Sequence, residues 1–381
     1  MKSFKFKPFV WITDEDIEQA SNILRSNNLS GFLATEGVER LGGYEVRKLE
    51  SSWSAFEETK YSVAFNSWTS GLEASIQALN LPIGSEVITT PWTMSATTAV
   101  IVNSGLRPRF VDINPRDFNI SIEKTEKAIS KTTSAILAVD IFGYPCDSPS
   151  LRELCKESGL SLIIDSAQTP LARIFGKKPS YHADVSGYSF NRHKHLQSGE
   201  GGIAVTNNNA IYSKLVALRN HAEVSHTQSK VPLPGRNLRF GEVESFLISR
   251  QLERVEAYVD FRRRAASRII EELKNSVLEP PEIAEGIDHD FYILGFKLPL
   301  DFGHSRREFL ARRLREAGLP FVLEKYVLTH KLPSFKRFSE RRLTNAETLQ
   351  GSCFLGLYMC GVDWSEDAVT FTSETIKACL N

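Results

Sequence analysis

From Tyr61 to Asp165 the chain repeats one unit: a short run of strand type, then a run with apolar residues at helical spacing. YSVAF precedes TSGLEASIQAL, in which Leu72, Ile76 and Leu79 share one face. EVITT precedes SATTAVIVNSG, closed by glycine. The strands PRFVDI and SAILAVD are separated by the helix IEKTEKAIS, and LRELCKESG precedes LSLIID. That last run is continuously apolar, as in strands buried on both faces. Strands alternating with helices imply a mostly parallel central sheet with helices on both faces. Ligands then gather at the carboxyl ends of the strands.

The flanks are read more coarsely. Thr13 opens a helix in DEDIEQASNILRS, with acids in its first turn where the helix dipole favours them. A second helix runs through VRKLESSWSAF. The stretch EVESFLISRQLERVEAYVDFRRRAASRIIEELKNS reads as one long helical segment leaving the large domain. A chain of 381 residues suits two domains. The expected division is a large domain over 1–250, with an N-terminal helical segment 1–60, and a smaller C-terminal α+β domain over 251–381. Lys+Arg and Asp+Glu both total 46, which argues against non-specific nucleic-acid binding. The five cysteines are odd in number and form no CxxC pair, so they read as reduced thiols of a cytoplasmic protein rather than a disulfide frame or a zinc site. The opening residues MKSFKFKPFVW lack the apolar core of a signal peptide, and no run reaches membrane-spanning length.

Three features carry chemistry. NSWTSGL lies where a strand ends and a helix begins, so its hydroxyls and the free N–H groups of the helix end suit a phosphate. Asp165 ends the buried run LSLIID; such a carboxylate can serve as a turn-former, or it can keep a pyridinium nitrogen protonated. In VSGYSFNRHKHLQSGEGGIAVT, two strand-type runs flank a loop with one lysine, Lys194, tightened by Gly199, Gly201 and Gly202. A lysine so placed can form a Schiff base once burial lowers its pKa. Phosphate cup, pyridinium partner and Schiff-base lysine, in that order, describe a site for pyridoxal 5′-phosphate. GEGGIA also satisfies a dinucleotide-binding pattern, but VTNN follows it as strand and turn rather than helix, so the match is discarded.

With NSWTSGL, FVDINP, IFGYPCD, IIDSAQ, SGYSF, KHLQSGEGG and GRNLRF in this order, the chain resembles the DegT/DnrJ/StrS sugar aminotransferases, which are fold-type I pyridoxal-phosphate enzymes. The resemblance implies Lys194 as the Schiff-base lysine and Asp165 as partner of the ring nitrogen. It places Gln168 near the cofactor's 3-hydroxyl, and Thr69, Ser70 and Ser189 on its phosphate. Asn237 would reach in from a second subunit, making the active unit a homodimer with shared sites. The implied reaction moves an amino group from L-glutamate to a keto sugar, commonly a nucleotide-linked one. Arg239 is a candidate for a substrate carboxylate or phosphate.

The chain also departs from the family's pattern. Trp68 stands where Gly, Ala or Cys is common, adding bulk beside the phosphate. The ring-stacking position aligns with Met94 in PWTMSAT, with Trp92 as the other candidate. EKYVLTH replaces the usual Tyr-Pro-x-Pro segment and offers Tyr326 and His330 as substrate contacts. A pyridoxal-phosphate sugar dehydratase would carry histidine in place of the lysine, and His193 and His195 flank Lys194. A non-catalytic cofactor-binding protein is the other alternative. A nucleotide-sugar oxidoreductase would need a glycine-rich turn after the first strand, which the chain lacks.

Overall fold

A computed structural model describes residues 4–34, 37–222 and 234–380. The N-terminal helix α1 (Asp14–Arg25) begins with a capping box: Asp16 N–H donates to the Thr13 hydroxyl and Thr13 N–H to the Asp16 carboxylate. Helix α2 (Tyr44–Glu57) buries Val46, Leu49 and Trp53. Four strand–helix units and a fifth strand follow: β1 (Tyr61–Phe65) and α3 (Trp68–Ala78), β2 (Glu86–Thr89) and α4 (Ser95–Asn103), β3 (Arg107–Phe110) and α5 (Ile122–Glu126), β4 (Thr133–Val139) and α6 (Ser148–Ser158), then β5 (Ser161–Asp165). The α5 helix is shorter than the IEKTEKAIS run; its cap, Lys127, is followed by turn bonds from Ala128 and Ile129.

After the short strand β6 (Arg173–Ile174) come β7 (Val185–Ser189) and β8 (Gly202–Thr206), with the Lys194 loop between them. The main sheet has the order β1-β8-β7-β5-β4-β2-β3. Its neighbours from β3 to β7 pair in parallel, whereas β8 runs antiparallel to both β7 and β1. The run read as buried on both faces behaves so: in β5, Leu162, Ile163 and Ile164 are fully buried. Because the parallel strands share one direction, Val139, Asp165 and Ser189 all finish at one edge of the sheet. That edge holds the site.

The helix α7 (Asn209–Arg219) follows, and the long helical stretch is two helices, α8 (Glu242–Leu252) and α9 (Val255–Leu273). The break is a tertiary effect. The Gln251 side chain binds both backbone groups of Gln197, and Arg254, at φ −119 and ψ 0, donates to Trp11 O and Asp16. The α8 helix packs on α1 and α2. The α9 helix passes between two cores: Val255 and Val259 sit with Trp53 and Phe190, while Ala265, Ile269 and Leu273 sit with the C-terminal elements.

A short strand β9 (Ile287–Asp288) pairs with β6, tying the two parts of the chain. The C-terminal part holds β10 (Ile293–Lys297), α10 (His304–Glu316), β11 (Val322–Leu323), α11 (Thr344–Thr348), β12 (Phe354–Tyr358) and α12 (Glu366–Leu380). Its sheet has the order β10-β12-β11, antiparallel throughout. Phe4 and Phe6, at the other end of the chain, pack into this second core against Phe371 and Phe321.

Candidate active site

The first wall is the start of α3. Ser67 caps it, its hydroxyl accepting from Ser70 N–H at 3.0 Å. The first N–H groups of a helix have no intrahelical acceptor and carry the positive end of its dipole. Thr69 stands beside them on the cavity surface. The Ser70 hydroxyl turns instead to Ser67, 2.8 Å away, and is not among the lining groups.

Asp165 ends β5 and is only 6% exposed. Its Oδ1 accepts from Trp68 Nε1 at 2.8 Å and from Ala167 N–H at 3.2 Å. Its Oδ2 has a longer bond, 3.3 Å, from the Thr97 hydroxyl. Burial raises the carboxyl above its usual range, against the pull of Trp68, Lys194, Ala167 and Thr97. Gln168 lies one turn on. Its Oε1 accepts from Phe142 N–H at 2.6 Å, so its amide NH2 is left to donate elsewhere.

Lys194 sits in the β7–β8 loop, its backbone N–H on Asn191 O at 2.8 Å. Gly201 gives the loop its path: φ is +145, and a Cβ there would stand 2.5 Å from the Phe240 ring. The ammonium lies 4.6 Å from the centre of the Tyr292 ring. The side chain is partly open because it faces the cavity, but the cavity lies deep in the protein. Burial therefore brings the lysine down to about 8, with Asp165 acting in the opposite sense.

The two flanking histidines are separated by the fold. His193 lies on the cavity surface. His195 is buried, with Nε2 3.0 Å from Gln168 O and Nδ1 2.5 Å from Arg262 Nη1. A guanidinium can only donate, so Nδ1 accepts and His195 is neutral with its proton on Nε2.

One cavity of about 360 Å³ gathers Thr69, Met94, Asp165, Gln168, Ser189, Lys194 and Tyr326. Met94 is 61% exposed and lines it, whereas Trp92 is fully buried among Phe118, Phe142, Tyr326 and Phe354 and does not. Four expected residues stand outside. Ser70 is turned to Ser67, as above. His330 is buried beside Phe110 with Nε2 3.3 Å from Glu347. Asn237 is exposed and bridges to Asn220. Arg239 places two nitrogens on Asn220 Oδ1, at 2.9 and 2.6 Å, so in its own chain it meets an amide rather than the cavity.

Sequence reasoning passed over Tyr292 and Tyr358, whose hydroxyls lie 2.9 Å apart on the cavity's second wall. Both sit at strand ends of the small sheet, and no spacing in the chain announces them. It also took Trp68 for bulk near the phosphate, whereas the indole reaches across to Asp165.

The residues present fit pyridoxal phosphate. The cavity offers a helix start for an anion, a buried carboxylate with acceptor capacity on Oδ2, and an amide donor. It also holds an amine with no hydrogen bond or ion pair among the described residues. The comparisons agree with that fit. Residues 23–359 match the DegT/DnrJ/EryC1/StrS aminotransferase family. GDP-perosamine synthase of Vibrio cholerae is 30% identical over 302 residues, covering 78% of this chain and 81% of that protein. The dTDP-3-amino-3,4,6-trideoxy-alpha-D-glucose transaminase of Micromonospora megalomicea is 30% identical over 279 residues, 72% of this chain and 73% of that one. Among solved structures, an aminotransferase from Psychrobacter cryohalolentis superposes with a TM-score of 0.88 at 25% identity, covering 98% of each chain. The chain belongs to the DegT/DnrJ/EryC1/StrS family of pyridoxal-phosphate-dependent sugar aminotransferases.

Proposed function

We propose that this enzyme transfers an amino group from L-glutamate to the carbonyl of a nucleotide-linked keto sugar. The observation that carries the reading is the meeting of Lys194, Asp165, Gln168 and Thr69 around one cavity. Pyridoxal phosphate, when bound, supplies an electron sink that lets the C–H bond beside a substrate nitrogen ionise. Lys194 Nζ takes that proton and returns it; with a pKa of about 8 it is partly neutral near neutral pH, as a general base must be. Asp165 Oδ2 holds the proton on a ring nitrogen. Gln168 donates its amide to the ring's hydroxyl, and the start of α3 with Thr69 and Ser189 holds the phosphate. Met94, on the cavity surface, would give the group a soft apolar contact. The nucleotide-linked acceptor is supported by the activities for which the relatives above are named.

The position of Lys194 favours an aminotransferase over a dehydratase using histidine. His195 is committed to Gln168 and Arg262, and Lys194 is the amine beside Asp165. The test is to load the enzyme with cofactor, add L-glutamate, and follow 2-oxoglutarate release and loss of the lysine-bound chromophore. Keto sugars carrying UDP, GDP or dTDP are then screened for its return. No response to glutamate overturns the reading.

A second copy of the chain completes the site in this reading. Asn237 and Arg239 lie outside their own cavity, on a loop that Asn220 joins to Leu33 O and Arg40 O. The same N-terminal region exposes the apolar side chains of Ile17, Leu24, Leu29, Leu33, Val38 and Tyr44, which a partner could cover. Mixing Lys194→Ala chains with chains altered at Asn237 and Arg239 should restore activity through one intact site per mixed dimer. Mixed dimers without activity refute shared sites.

A further inference from the structure

We propose that Trp68 is a positioning residue for Asp165: its indole N–H fixes one carboxylate oxygen so that the other is presented to the ring nitrogen of the cofactor. The inference rests on the reading of Asp165 given above and goes beyond it. The Nε1–Oδ1 bond is 2.8 Å and buried, and Ala167 N–H adds a second donor to the same oxygen at 3.2 Å. Among the described residues Oδ2 receives only the Thr97 hydroxyl at 3.3 Å, and that hydroxyl also lies 2.9 Å from the Thr93 hydroxyl. One oxygen is therefore saturated and the other retains acceptor capacity. A hydrogen bond to the charged form also favours the ionised carboxylate, against the burial that opposes it.

The surroundings are built for this ring. A Cβ at Gly187 in β7 would lie 2.2 Å from the Trp68 ring, and one at Gly202 in β8 would lie 2.4 Å from Trp68 N. A side chain at Gly187 would displace the indole, and one at Gly202 would push the helix start that carries it. Space-filling alone does not account for the donor. Trp53 and Trp92 are also buried, and their Nε1 groups have no hydrogen-bond partner among the described residues. Trp68 is moreover the first residue of α3, next to Thr69, so a single side chain links the phosphate end of the cavity to the ring-nitrogen end.

The experiment compares equilibrium binding of two ligands: pyridoxal phosphate, and its analogue in which carbon replaces the ring nitrogen. Both form the same bond to Lys194, so their affinity ratio reads the ring-nitrogen contact alone. Wild type should prefer pyridoxal phosphate. In Trp68→Phe that ratio should fall roughly tenfold, the scale of one hydrogen bond to a charged group, and Trp53→Phe should leave it unchanged. If Trp68→Phe does not fold, benzothienylalanine at position 68 keeps the shape and deletes only the N–H. Equal weakening of both ligands, or no change in the ratio, overturns the role of Trp68. A wild type without the preference overturns the reading of Asp165, and the proposal falls with it.

Discussion

The cavity has two walls of different origin. One is built where strands of the large sheet end, and its polar groups take backbone N–H donors, with the Trp68 indole as a further donor to Asp165. Asp165 is held by Ala167 N–H and Gln168 by Phe142 N–H, both in loops at that same edge. The other wall is Tyr292, Tyr326 and Tyr358, delivered by three segments of the C-terminal part. Its contacts are between side chains: the Tyr292 and Tyr358 hydroxyls meet each other, and the Tyr326 ring rests on Trp92 and Phe142. Backbone-anchored groups cannot shift without moving the sheet, whereas paired phenols can exchange one partner for a ligand hydroxyl. On the proposed reading, the reaction belongs to the first wall and recognition of the acceptor to the second.

The largest effect should come from the first wall. Lys194→Ala should lower transamination by roughly 1,000-fold or more, within the range for losing a positioned general base, while the protein folds and binds cofactor non-covalently. Borohydride reduction of wild type followed by peptide mapping should label Lys194; a label on another lysine removes the assignment.

Asp165→Asn comes next. The glutamate half-reaction should slow by roughly 100-fold, as for loss of one preorganised electrostatic contact, with little change in glutamate binding. Near-normal single-turnover rates in this variant would refute the role of Asp165.

Smaller effects sharpen the distinction between the walls. The Lys194 amine has its midpoint at about 8 instead of the ordinary 10.5, because burial disfavours its charge. The neutral fraction therefore rises as pH climbs through 8. Cofactor attachment should accelerate about tenfold between pH 7 and 9 and then level off, since one unit on either side of a midpoint changes the neutral fraction about that much. A rate still climbing tenfold per unit above pH 9 means an unshifted lysine.

Tyr292→Phe and Tyr358→Phe should act in the acceptor half-reaction alone. Each should lower kcat/KM for the keto sugar by roughly fivefold, the net worth of one neutral hydrogen bond, and leave the glutamate half-reaction within error. Equal losses in both halves would erase the division between the walls.

The first wall was legible in the chain because its residues sit at fixed offsets from strand ends. Asp165 closes an apolar run, Gln168 follows three residues later, and Lys194 lies between two strand-type runs closed by glycines. Those offsets survive folding, since a strand end and its loop move as a unit. Ser70 and His330 misled for a local reason: each side chain found a nearer partner, Ser67 in one case and Glu347 in the other. Trp68 misled for a longer-range one. Its position beside Thr69 suggested bulk at the phosphate, but the slot at Gly187 and Gly202 draws the indole toward Asp165, 97 residues away in sequence.

The sequence by itself determined the strand–helix alternation, the sheet edge at which the cavity opens, and the order of the residues that line it, because hydrophobic periodicity and turn chemistry act over a few residues. Only the tertiary structure decided which groups meet. Tyr292 and Tyr358 are 66 residues apart and touch through the register of β10 with β12. The helical run 242–276 breaks at Arg254 because Asp16 and Trp11, more than 200 residues earlier, hold it there. Long-range pairing of this kind depends on burial, register and shape at contacts that no local pattern encodes.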